Sequence, residues 1–99
     1  MTNPTIQEIS TRYKNGEIQV TSLADGSAVL MDIQGRRVLS MNHSSLFLFN
    51  ELMNTPQQNE ADIARKLADH YGINQALAEE DVSHFVRTLA DKWLSTSNN

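Results

Sequence analysis

There is no cysteine among the 99 residues, so neither a disulfide framework nor a thiolate metal site is available, and a reducing compartment suits the chain. No apolar run approaches the ~18 residues of a membrane span. The first eleven residues lack both the basic start and the apolar stretch of a signal peptide, so the expected location is the cytoplasm. Basic charge is scarce: eight Lys and Arg face twelve Asp and Glu, a formal charge of −4. Arg12, Lys14, Arg36 and Arg37 balance Glu8, Glu17, Asp25 and Asp32, so the whole excess lies in residues 43–99. Nucleic-acid binding relies on cations that displace condensed counterions, which disfavours phosphate partners for that half. Glycine occurs only at positions 16, 26, 35 and 72, too dispersed for a phosphate-cradling loop.

What is present divides near Asn42. Strand-like runs cut by glycine turns come before it, and apolar residues at helical spacing come after it. Strands first and helices second argue for an α+β arrangement rather than alternating βαβ units. The length suits one domain, expected over residues 16–94 between flexible segments at 1–15 and 95–99, whose polar composition offers little to bury.

A first strand is expected over residues 17–23, with Ile18 and Val20 on one face. Asp25-Gly26 is a hairpin signal because both residue types tolerate positive φ. Residues 27–32 read as the central strand of a three-stranded antiparallel meander. Asp32-Ile33-Gln34-Gly35 fits a three-residue loop with a glycine bulge, leading to a third strand over 36–41. The preferred register sets Val29 opposite Leu39 and Asp32 opposite Arg36, with Leu39 and Met41 facing the core. This third strand is an edge, and its outer N–H and C=O groups need a partner.

Asn42 is suited to cap a helix over 43–53, rich enough in Leu and Phe to be nearly enclosed. Thr55-Pro56 stops it. Asn59 caps a second helix over 60–71, which Gly72 ends. Glu79-Glu80-Asp81 is expected to open a third helix, where acidic groups favour the positive first turn. Val82, Phe85, Val86, Leu89 and Trp93 repeat along it at helical spacing.

Catalytic constellations are hard to find. His43, His70 and His84 fall on different elements, with no pair at metal-ligand spacing, so no metal or cofactor is expected. Ser44 and Ser45 follow His43, but neighbouring helical residues do not face one another, and ordinary helix-start chemistry explains them. His43 is expected to support the first turn of its own helix. The feature that invites a function is the exposed third strand together with the apolar stripe of the third helix. An extended peptide can add there as a fourth strand, gaining backbone hydrogen bonds and side-chain pockets.

Ala28-Val29-Leu30-Met31-Asp32, the glycine turn and Val38-Leu39-Ser40-Met41-Asn42 begin a pattern that continues through the helix from Leu46 and Ile63-Ala64-x-x-Leu67. It closes with Asp81-Val82-x-x-Phe85-Val86-x-x-Leu89-x-x-Lys92-Trp93-Leu94. Together these resemble the PqqD-like family, named for pyrroloquinoline quinone biosynthesis protein D and related to the RiPP recognition elements. The resemblance implies a winged-helix-like fold of three strands and three helices. It also implies a non-catalytic adaptor that binds the leader of a ribosomally made precursor peptide and presents it to a modifying enzyme, often a radical SAM maturase. The positions matching the leader groove are Arg37, Val38, Leu39, Ser40 and Met41 on the strand and Val82, Phe85, Val86 and Leu89 on the helix. Arg36 and Arg37 are placed to attract acidic leader side chains. No membrane partner is expected, and the open edge also admits a homodimer. The rival is a winged-helix DNA-binding regulator, against which stand the acidic balance and Glu79, Glu80, Asp81 and Asp91 on the third helix.

Overall fold

The computed structural model describes residues 4–33 and 36–93. Its elements are α1 (Pro4–Lys14), β1 (Ile18–Ser22), β2 (Ala28–Asp32), β3 (Val38–Met41), α2 (His43–Asn54), α3 (Glu60–Tyr71) and α4 (Gln75–Trp93). The strands form one antiparallel sheet in the order β1-β2-β3, and three helices follow it, as the α+β reading expects. A fourth helix precedes it.

That helix occupies most of the segment expected to be flexible. Pro4 occupies the opening turn, where its missing N–H costs nothing. Arg12 and Lys14 close the last turn against the negative end of the dipole. Ile6 and Ile9, three residues apart, are fully buried as α1 packs on α2, α4 and β1. Burying each is worth about 1.5–3 kcal/mol, enough to hold a segment that is otherwise polar. The expected tail at 95–99 lies outside the described residues.

Residues 24–26 link β1 to β2. Leu23 N donates to Ser27 O at 2.9 Å and Gly26 N to Leu23 O at 3.2 Å. Only Gly26, at φ +89°, takes positive φ, and Asp25 does not. The loop is therefore a three-residue turn with a glycine bulge, and Asp25 contributes its carboxylate, which accepts from Ser27 N at 3.0 Å.

The β2–β3 register is one residue from the expected one. Leu30 faces Leu39, Val29 faces Ser40 and Ala28 faces Met41, while Asp32 N donates to Arg37 O rather than meeting Arg36. The reason is burial. This register gathers Ala28, Leu30, Leu39 and Met41 on the face that meets the core, whereas a one-residue slip would divide them between core and solvent. The strand is also shorter than expected at its start, and the glycine of the expected β2–β3 bulge falls at 34–35, outside the described residues.

Asn42 and Asn59 cap α2 and α3 by accepting from Ser45 N and Asp62 N at 2.9 and 2.8 Å. Gly72, at φ +66°, ends α3. The last helix begins earlier than expected, at Gln75, because Asn74 caps it by accepting from Leu77 N at 3.1 Å. Glu79, Glu80 and Asp81 thus lie beyond the first turn, exposed to water, and the helix dipole does not account for them.

Candidate functional site

Among the described residues, β3 pairs only with β2 and forms one border of the sheet, while α1 packs near the other border at β1. The bond from Asp32 N to Arg37 O, 3.3 Å long, identifies that facing pair as a hydrogen-bonded one. Alternation in an antiparallel ladder then turns the N–H and C=O of Leu39 and Met41 toward β2. Those of Val38 and Ser40 point to the open border. Two residues therefore present a donor and an acceptor each, with no partner among the described residues.

Side chains divide the other way. Leu39 and Met41 face the core: Met41 is buried, and Leu39 is partly buried and packed on the same hydrophobic cluster as Val82, Phe85, Val86 and Leu89. Val38 and Ser40 are exposed on the opposite face. Of the strand half of the expected site, Arg37, Val38 and Ser40 are exposed, Leu39 is partly buried and Met41 is interior. The helix half is interior, with Val82 and Leu89 fully buried and Phe85 and Val86 only 6% exposed. α4 packs chiefly on α3 and α1, and α2 lies closer to β3. The four helix residues belong to the shared core and do not form an open wall beside the strand.

At the start of β3 a cavity of ≈ 200 Å³ is bounded by Arg12, Glu17, Asp32, Ile33, Arg37 and Trp93. Arg12 donates from its guanidinium to Trp93 O at 3.0 Å, tying α1 to the end of α4. The Trp93 indole N–H is buried without a partner among the described residues. Sequence reasoning missed this corner because it depends on α1, which the composition conceals. Arg37 reaches Asp32 at 3.5 Å while remaining half exposed, a surface pair that leaves most of its donors available. Burial pushes the Asp32 carboxyl up, but the amides of Arg36 and Arg37 and the Arg37 guanidinium outweigh it, so the group is held below its ordinary value. Asp25 is likewise held low, first by the Ser27 hydroxyl and then by the Ser27 amide.

At the opposite end of β3, His43 does not serve its own helix. Its Nε2 lies 2.8 Å from Asp25 O, so a ring N–H donating to that carbonyl clips the β1–β2 turn to the start of α2. His70 stacks on Phe47 with ring centroids 4.6 Å apart, and His84 is exposed on α4. Among the described residues, no three His, Asp or Glu side chains gather as metal ligands, and no helix is long and apolar enough to cross a membrane.

The chain resembles two solved structures in fold. One is described as lasso peptide synthetase B1 complexed with the leader peptide: it is 26% identical, with a TM-score of 0.63, covering 76% of this chain and 85% of that one. The other, TbiB1 in complex with the TbiA(beta) leader peptide, is 18% identical with a TM-score of 0.66, covering 84% of this chain and 93% of that one. No curated protein matches closely. The sequence model of the family described as coenzyme PQQ synthesis protein D (PqqD) matches residues 27–94, from the start of β2 to the end of α4. With more than half of its length matched and the three-strand, three-helix order in place, the chain belongs to the PqqD family.

Proposed function

We propose that this protein is a non-catalytic adaptor that captures the leader of a ribosomally made precursor peptide as a fourth strand beside β3 and presents it to a modifying enzyme. The observation that carries this reading is the open border, where Val38 and Ser40 offer unpaired backbone groups in front of a strand whose other face is anchored in the core. Strand addition draws its affinity from such groups and its specificity from the side chains around them. Similarity to a lasso peptide synthetase B1 complexed with the leader peptide supports the choice of ligand.

The binding residues are Arg37, Val38, Leu39, Ser40 and Met41. Val82, Phe85, Val86 and Leu89 contribute as part of the core cluster on which Leu39 packs and to which Met41 belongs. Arg36 and Arg37, both exposed, receive acidic leader side chains. The adjacent His43 and Ser44 are engaged structurally: His43 holds a turn and Ser44 donates to Asn42. Likeness to a synthetase component favours lasso-type machinery over the radical SAM maturase expected from the resemblance.

Amide hydrogen exchange tests the reading, using leader segments synthesised from precursor genes adjacent to this protein's own. In the free protein the Val38 and Ser40 amides exchange quickly while those of Leu39 and Met41 are protected. Adding the correct leader protects Val38 and Ser40 as well. Tight binding that leaves both amides unprotected overturns strand addition.

A further inference from the structure

The register divides the face of the sheet that points away from the helices into two unlike halves. Gln19 and Thr21, on β1, are exposed and polar. Val29 and Met31, on β2, are half-buried, and Val38, on β3, is 43% exposed and directly opposite Met31. Apart from Ser40, opposite Val29, the side chains toward the open border are thus apolar, and those beside the border near α1 are polar. A lone exposed valine on a strand would be unremarked, since many apolar residues remain at protein surfaces. The segregation is what carries weight. Moreover, open edges are ordinarily protected by charge, proline or a bulge, yet Val38 and Ser40 supply none of these.

We propose that Val38, backed by Met31, is a specificity-determining residue that takes an apolar side chain from the outward face of the added peptide, so the leader is read on both of its faces. The inference rests on the strand-addition reading above and deepens it. Val38 turns its backbone groups to the open border, so an antiparallel peptide places one residue directly opposite it, with its side chain on the same face as Val38. That residue extends the Met31–Val38 row by one column and removes apolar surface from water on both partners. The next residue of the peptide faces inward toward Leu39 and the core. The leader therefore carries two adjacent apolar residues where a half-buried strand would alternate apolar with polar.

Panning a displayed random-peptide library against the full chain and against Val38→Thr tests this. Threonine preserves shape and strand preference at an exposed position, so the variant folds, as the Val38 and Ser40 exchange pattern verifies. The wild-type chain is expected to enrich peptides with adjacent apolar positions. The variant loses the preference at the outward position only, and binds the peptides selected on wild type about two- to fivefold more weakly. Enrichment of strictly alternating peptides, unchanged by Val38→Thr, overturns this inference while leaving strand addition standing. Failure of both chains to enrich any peptide overturns the adaptor reading itself. A concentration-dependent dimer abolished by Val38→Lys assigns the row to a second copy and overturns the inference as well.

Discussion

Gly26 is required twice over. Its φ of +89° is a region that side chains avoid, and a Cβ there would meet His43 Nε2 at 2.5 Å, displacing the ring that holds the turn against α2. Gly26→Ala is expected to lower unfolding free energy by about 1–2 kcal/mol, read as a shift of the urea midpoint. At the other turn Asp32 works through charge. Its carboxylate accepts from Arg36 N at 2.9 Å and Arg37 N at 3.5 Å, which shapes the approach to β3. Because its folded value is depressed, the contribution is fully present above the unfolded carboxylate value near ~3.9 and is lost as pH falls through the folded value. Acid titration followed at the Arg36 and Arg37 amides is expected to show that loss below about pH 4, and Asp32→Asn to abolish the titration step. A step centred above the ordinary carboxylate range would refute the arrangement.

Among the elements, α1 carries the clearest stability prediction. It lies before the stretch matched by the family, yet it places Ile6 and Ile9 in the core between α2, α4 and β1. Ile9→Ala is expected to cost about 2–5 kcal/mol in denaturant unfolding, whereas a dispensable appendage would leave the midpoint unmoved. α1 was illegible in the sequence because two isoleucines in a polar run make a weak periodic signal. α2 and α3 were legible because asparagine caps, Pro56 and Gly72 punctuate their ends locally. The start of α4 was misplaced because three consecutive acids imitate a first turn, while the operative signal was the single cap Asn74. The β3 border was likewise visible from turn chemistry and strand count. Which of its residues face outward was not, since a one-residue register slip exchanges the two faces and only burial of Ala28, Leu30, Leu39 and Met41 together decides it.

For the molecule as a whole, the charge of −4 sets how binding responds to salt. The accessible border offers backbone groups and apolar side chains, and the cations close to it are Arg36 and Arg37, the latter already shared with Asp32. α4, the helix a winged-helix reader would offer to a duplex, carries Glu79, Glu80, Asp81 and Asp91 against Arg87 and Lys92. A duplex reader that neutralises roughly 6–10 phosphates loses about 10³–10⁵ in affinity between 50 and 200 mM salt. A leader held by a strand ladder and two arginines has far fewer ion contacts to screen. The slope of log affinity against log salt is therefore expected to have a magnitude no larger than about 2, one per arginine. Trp93 is the chain's one tryptophan and lines the cavity next to Arg37, so its emission provides the titration signal without a label. Arg36→Gln with Arg37→Gln should flatten the salt slope while leaving protection of the Val38 and Ser40 amides intact. A slope several-fold steeper, or loss of that protection in the double variant, would move the main source of affinity from the backbone to charge.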